Sequence, residues 1–356
     1  MTRLRVAVLF GGRSAEHDVS VLSARNVVKG LDPAKYDVVP IFISRDGRWR
    51  LLELENGVLP EALSEHGAEV CLMPGGRGRL LSLDEARGAR DLPDIGILFP
   101  VLHGMDGEDG SVQGLAAVAG VPLAGCGILG SAVAIDKEIA KRLLREAGLP
   151  VARSITLRRG ETISFENVVA QLGAPVFVKP ARQGSSVGVS KAATAEEFSA
   201  ALVEAFKHDV KILIEEFVQG REVECSVLER ADGSIFVSLP GEIAAASSHG
   251  FYSYDAKYID PDGAVLSIPA HLSDEATTRV RAMAEKAFHA LGCDAVARVD
   301  FFAKPDMSFV INEINTIPGF TDISMYAKAL AASGVAYRDV LDQIIAHGLA
   351  RAGAHR

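Results

Sequence analysis

Two β-rich runs, Arg298-Val-Asp300-Phe-Phe-Ala-Lys304 and Phe309-Val-Ile-Asn-Glu313-Ile-Asn315, flank the turn signal Pro305-Asp-Met-Ser308. The pattern predicts an antiparallel hairpin. A turn centred between Asp306 and Met307 sets Asp300 opposite Glu313 and Arg298 opposite Asn315, and period-two alternation puts all four on one face. Like charges directly opposite each other destabilise a sheet, and two carboxylates sharing a site do not both ionise cheaply without a counter-charge. A hard divalent cation supplies that charge. Asp, Glu and Asn oxygens with no His or Cys nearby suit Mg²⁺ or Mn²⁺, with room left for waters and phosphate oxygens. The alternative is a solvent-facing sheet whose acids simply pair with Arg298. Phe309 and Ile311, assigned by alternation to the same face, argue for a covered cleft instead.

A hairpin of this kind needs a scaffold on several sides. At 356 residues the chain is long for one core, so two or three domains are expected. Leu4 to Phe10 reads as a buried strand, ended by Gly11-Gly12 and followed by the amphipathic run Val19 to Leu31, the opening of an α/β unit. Val38 to Ser44 and Ile95 to Val101 continue the strands, while residues 45 to 94, rich in Gly, Arg and Glu, read as surface excursions. This first α/β domain, an open parallel sheet, spans 1–135. A helix from Asp136 through Leu144 to the stop at Gly148-Leu-Pro150, strand Val176 to Lys179, helix Ala195 to Lys207 and strand Lys211 to Phe217 make an α+β unit over 136–221. Helix Asp274 to Leu291, the hairpin and a last helix Tyr337 to Ala350 complete a unit over 222–356, with the tail from Arg351 frayed.

Between the strands lie candidate anion contacts. Lys179-Pro-Ala-Arg-Gln-Gly184-Ser185-Ser186-Val-Gly188 follows a strand, and its glycines and hydroxyls could bring backbone N–H groups to phosphate oxygens. It is no Walker A motif. Lys137 and Lys179 offer point charges suited to phosphate. Glu215-Glu216-Phe217-Val218 could present backbone groups to an adenine edge, with Glu222 receiving ribose hydroxyls; on its own the segment is an ordinary strand end. Gly125-Cys-Gly127-Ile-Leu-Gly130 matches GxGxxG but lacks the strand context and ribose-binding acid of a dinucleotide site.

Composition removes other classes. A net charge of −9 argues against nucleic acid as a partner. Four cysteines with no CxxC pair suggest neither zinc nor a disulfide framework, and free thiols imply a reducing, cytoplasmic setting. Residues 114 to 135 carry no charge over a membrane-sized length. Repeated glycines and Pro122 favour a helix, a short strand and a loop there, so no membrane partner is expected.

Together, four motifs resemble the D-alanine:D-alanine ligase family of ATP-grasp enzymes: Gly11-Gly-Arg-Ser-Ala-Glu16-His-Asp-Val-Ser20, Leu102-His103-Gly-Met-Asp-Gly-Glu108, Phe251-Tyr-Ser-Tyr-Asp-Ala-Lys257-Tyr258 and Asn312-Glu313-Ile-Asn315-Thr-Ile-Pro-Gly319-Phe-Thr321. They occur in the family's order and span nearly the whole chain. The resemblance implies an ATP-grasp fold, ATP and D-alanine as small-molecule substrates, and a chain that is often dimeric, though no interface signature is visible. It makes Lys137 and Lys179 phosphate contacts, Glu215, Glu216, Val218 and Glu222 adenosine contacts, and Asp300, Glu313 and Asn315 magnesium ligands. Arg298 and the Gly319 N–H would stabilise an oxyanion, and Glu16 would receive the first substrate's ammonium. Ser185 and Tyr258 would tie a mobile loop over the site, Lys257 would meet the γ-phosphate, and Ser324 would hold the second substrate's carboxylate. His103 and Glu108 look like supporting groups near the first substrate. Asp18 stands where Glu is more usual, and Ala327 where many members have Pro. The rival activities are a D-alanine:D-lactate ligase, against which Tyr258 argues, and an inactive ATP-binding regulator.

Overall fold

The computed structural model describes residues 3–63, 67–84, 88–245 and 264–354. Lys257 and Tyr258 lie outside them. The first sheet has the order β6-β5-β4-β3-β2-β1-β7. Strand β1 (Leu4–Gly11) runs parallel to β2 (Tyr36–Ile43) on one side and β7 (Ile97–Val101) on the other. Helix α1 (His17–Gly30) connects β1 to β2. The run of Val, Ile and Phe in these three strands is buried on both faces, as parallel strands require.

Residues 45 to 94 are not the surface excursions expected. They hold β3 (Trp49–Leu51), β4 (Ala68–Leu72), β5 (Leu80–Asp84) and β6 (Gly88–Leu92), which extend the sheet antiparallel from β2. Strands of three to five residues, with β6 largely exposed and charged, leave too little periodicity to read. The uncharged stretch 114–135 contains most of α2 (Ser111–Ala119) and all of α3 (Ile128–Ile135), separated by a bridge between Leu123 and Leu98. No helix among the described residues is long and apolar enough to cross a membrane. The GxGxxG glycines sit at the start of α3, where Gly127 N–H donates to Asp294 (2.5 Å).

A second, four-stranded sheet has the order β10-β9-β11-β8. It is built from β8 (Ser154–Arg158), β9 (Val176–Pro180), β10 (Ser190–Ala192) and β11 (Lys211–Glu216). Helix α4 (Lys137–Glu146) leads into it, its N-terminus capped by Asp136 on the Ile139 N–H, while α5 (Phe165–Leu172) and α6 (Ala195–His208) cover one face. The third sheet holds β12 (Arg221–Glu229), β13 (Ile235–Val237), β14 (Gly241–Ala245), β15 (Ala264–Ser267), β16 (Val296–Ala303) and β17 (Phe309–Asn315). Helices α7 (Asp274–Ala290), α8 (Met325–Ala332) and α9 (Tyr337–Ala354) follow its strands. Far from fraying at Arg351, α9 continues to Ala354, with Arg351 tied to Asp294 (2.5 Å) and the Leu123 carbonyl (2.9 Å).

The hairpin β16–β17 pairs Arg298 with Asn315 and Asp300 with Glu313, as the spacing predicts. Beyond Asp300 the register shifts, and Phe301 pairs with Ile311, so Asn312 is the extra residue of a β-bulge. One extra residue reverses the alternation. Phe309 and Ile311 therefore face the opposite way from Glu313, into a core with Val299 and Phe301, and do not line the cleft. The bulge lets adjacent Asn312 and Glu313 both reach the site.

One core joins the two ends of the chain. Val6, Val8 and Phe10 of β1 pack with Ala24 and Val27 of α1 and with Tyr326, Leu341 and Ile344 of α8 and α9. Burial of each large side chain contributes about 1.5–3 kcal/mol. The segment 316–324 is thereby held against α1, which brings first-sheet residues to the hairpin.

Candidate active site

At the end of β1, Gly11 has φ +92°, and a Cβ there would lie 2.3 Å from the Ile43 carbonyl oxygen. Only glycine turns the chain at this point. The turn delivers Glu16 to the first residue before α1, at the carboxyl ends of parallel strands where open α/β sheets place ligands. Ser185 Oγ donates to Glu16 Oε1. A Cβ on Gly184 would stand 2.7 Å from Glu16 Oε2, so a larger residue there would push the Glu16 carboxylate aside. Ser185 and Ser186 both adopt positive φ, +50° and +60°, a strained arrangement of the kind kept where loops touch ligands.

Two cavities converge here. The larger, about 490 Å³, lies between the second and third sheets. Lys137, Lys179, Glu215, Glu216, Val218 and Glu222 line it, together with Asn312 and Glu313. The smaller, about 90 Å³, is bounded by Glu16, His103, Glu108, Ser185 and Arg298, with Asn315, Gly319 and Ser324 closing it. Glu313 lines both. Asp300 is buried beside the smaller one, behind Arg298.

The lysines of the larger cavity are fixed by acids. Glu215 bridges Lys179 (2.7 Å) and the buried Lys141 (2.9 Å). Burial alone would raise its carboxyl, but the two lysines outweigh burial and hold it below the usual range. Burial pushes the Lys141 ammonium down in spite of Glu215. With its side chain in this bridge, Glu215 has its backbone to offer a nucleotide. Glu216 is turned to Arg153 (2.6 Å). Lys137 reaches Glu313 (3.2 Å) and the Gln183 carbonyl (2.7 Å), so it spans from the loop to the hairpin.

In the smaller cavity Arg298 binds Asp300 through two N–H groups (2.8 and 2.7 Å) and Glu224 through Nε (3.0 Å). The sequence alternative paired it with the facing acids of the hairpin; of these it binds Asp300, and it also meets Glu224 on the next strand. Although burial works against it, its guanidinium is held well above its usual pKa, because those carboxylates outweigh burial. Glu224 pairs across strands with Asp300, which pairs with Glu313, so three acids form a row over β12, β16 and β17. Asn315 Nδ2 donates to Asp300 (3.0 Å). Glu108 accepts from the Gly104 and Ile317 N–H groups (2.8 and 3.0 Å). Burial, and then the nearby Glu16 charge, push its carboxyl up to about 8. Burial lowers the His103 imidazole, leaving it neutral at pH 7.

Sequence reasoning missed Glu224, Lys141, Asn312 and Ser23. The alternation Glu222-x-Glu224-x-Ser226 on a strand beside the hairpin was a usable signal for the first. A buried lysine on α4 or a bulge at Asn312 left none. Whether the row suits a cation is decided by its donors. Asp300, Glu313 and Asn315 offer oxygen only, two carboxylates directly opposite and an amide, a set that fits Mg²⁺ or Mn²⁺ and leaves positions for phosphate and water. Among the described residues no three His, Cys, Asp or Glu side chains converge on one point, which disfavours a metal held wholly by protein.

Two sheets closing on one cleft, lysines from one and carboxylates from the other, define the class of ATP-grasp ligases. The sequence narrows the class, matching the D-ala D-ala ligase N-terminus family over residues 5–126 and the D-ala D-ala ligase C-terminus family over 143–346. The D-alanine–D-alanine ligase A of Brucella suis biovar 1 is 57% identical over 349 residues, 98% of each chain. A solved D-alanine-D-alanine ligase from Coxiella burnetii superposes with TM-score 0.85 at 34% identity, covering 100% of this chain and 96% of that one. The VanG D-Ala:D-Ser ligase from Enterococcus faecalis gives TM-score 0.82 at 34% identity, covering 98% and 100%. This chain belongs to the D-alanine–D-alanine ligase family. It is an ATP-using ligase.

Proposed function

We propose that the chain joins two D-alanine molecules into D-alanyl-D-alanine for peptidoglycan precursor synthesis, in the cytoplasm, through an acyl phosphate. The observation that carries this reading is that the nucleotide-sized cavity and the small carboxylate-lined one meet at Glu313. Three units divide the work: 1–135 holds the first amino acid, while 136–221 and 222–356 clasp ATP.

The ammonium of the first D-alanine pairs with Glu16, and its carboxylate oxygen attacks the γ-phosphorus as the bond to ADP breaks. Lys137 and Lys179 neutralise the phosphates. Phosphoryl transfer needs alignment and charge stabilisation more than covalent help, which the fixed lysines supply. Mg²⁺, when held by Asp300, Glu313 and Asn315, supplies further charge neutralisation. The second amine then attacks the acyl carbon and phosphate leaves with the C–O bond electrons. Arg298 and the Gly319 N–H receive the oxyanion, Arg staying charged with several donors. Ser324, whose Oγ accepts the Thr321 N–H (2.9 Å), holds the second carboxylate. Ser185 and Tyr258 close the site and Lys257 meets the γ-phosphate, keeping water from the acyl phosphate.

The amine, not a hydroxyl, is the second nucleophile. A coupled ADP-release assay comparing D-alanine, L-alanine and D-lactate tests this. ADP release with D-alanine alone and none with L-alanine is expected; turnover that requires D-lactate, or ATP binding with no D-alanine-dependent ADP, overturns it.

A further inference from the structure

Residues 317–320 are held from the first sheet's side by Ser23, Asn26, His103 and Glu108, none of which carries out a chemical step in the reaction above. Phe320 N–H donates to Ser23 Oγ (3.1 Å), Ser23 Oγ lies 3.3 Å from His103 Nε2, and His103 Nδ1 lies 2.9 Å from the Ile317 carbonyl. A carbonyl only accepts, so Nδ1 carries the proton. A neutral imidazole has one N–H, so Nε2 is bare and accepts from the Ser23 hydroxyl. The chain of three bonds starts and ends on the same loop. Asn26 Nδ2 donates to the Phe320 carbonyl (2.9 Å) and to Asp322 (3.1 Å), and Glu108 accepts the Ile317 N–H (3.0 Å).

Both backbone groups of Ile317 and both of Phe320 are thus engaged by side chains from the first 110 residues. Between them lie Pro318, with no N–H, and Gly319. The Gly319 N–H has no acceptor among the described residues, and Gly319 lines the small cavity. Ser20 and Ser23 are fully buried and sit with Asn26 at helical spacing behind Glu16, so α1 carries the ammonium partner and the loop braces on one face.

We propose that Ser23 is a positioning residue: through the His103 relay it aims the Gly319 N–H at the oxyanion, coupling the helix that follows Glu16 to the second chemical step. This rests on the functional reading above. A donor displaced by a fraction of an ångström loses much of its effect on a developing charge.

The test combines kinetics with ¹⁵N NMR of histidine-labelled enzyme. S23A should lower kcat about tenfold, with the KM for ATP unchanged and the thermal midpoint lowered by a few degrees, because the Phe320 N–H loses its buried acceptor. In the wild-type enzyme without substrates, His103 should show Nδ1 protonated and Nε2 bare at neutral pH. An unchanged kcat in S23A, a fall in kcat matched by an equal rise in the ATP KM, or a protonated Nε2 in the wild type each overturns the proposal. Should S23A fail to fold, the wild-type tautomer still decides. Absence of D-alanine-dependent ADP release from the wild type would instead defeat the functional reading, an outcome the NMR measurement does not mimic.

Discussion

E313Q is expected to lower kcat by about 10³-fold or more while leaving the chain folded. Charge stabilisation by a catalytic metal is worth several kcal/mol, and each 1.36 kcal/mol is a factor of ten. Glutamine keeps the size of Glu313 but removes the charge at the point shared by both cavities. Two opposing effects limit the cost to stability. Lys137 loses an acid partner at 3.2 Å, while Asp300 loses a like charge directly across the strand pair. The loss at Lys137 exceeds that of an exposed pair because the lysine is buried, but it keeps the Gln183 carbonyl and the relief at Asp300 opposes it, so the thermal midpoint should fall by a few degrees at most. Steady-state rates over a Mg²⁺ titration check the result; near-normal kcat at ordinary Mg²⁺ would sink the assignment.

Arg298 gives the second large effect, and its two substitutions should separate chemistry from folding. R298K keeps the positive charge but loses the planar fork that binds Asp300 through two donors, one of which, Nε, also lies against Glu224. A fall of about 10²-fold in kcat is expected, the scale of losing one oxyanion donor, with folding retained. R298A leaves buried acids without this partner and should cost about 3–5 kcal/mol of stability. Thermal unfolding beside kcat for both variants reads the difference. A lysine variant with wild-type turnover would reduce Arg298 to a structural ion pair.

The hairpin and its facing residues were legible because cross-strand pairing follows from turn position and a period of two, both local properties. What that logic does not carry is the bulge. Asn312 has no side-chain feature that marks it as the extra residue, yet it alone moves Phe309 and Ile311 from the cleft to the core. Strands β3 to β6 were lost for a different reason: each is only three to five residues long, too short to show a period, and they add one after another outward from β2, so only the assembled sheet makes them strands. Glu215 and Glu216 show a third limit. Sequence places them at a strand end, but the partners that turn them, Lys141, Lys179 and Arg153, lie 36 to 74 positions away. The Ser23–His103 relay joins residues about 80 and 297 positions apart and is visible only once α1 packs on the loop.

The mechanism requires that the face shared by Asp300, Glu313 and Asn315 receive the nucleotide's cation. A crystal structure with a non-hydrolysable ATP analogue and Mn²⁺, read from the anomalous signal of manganese, tests it most directly. An anomalous peak is expected within coordination distance of both carboxylates, with the phosphates beside Lys137 and Lys179 and the base beside Val218. Manganese bound elsewhere, or the analogue ordered with its phosphates away from Lys137 and Lys179, would contradict it.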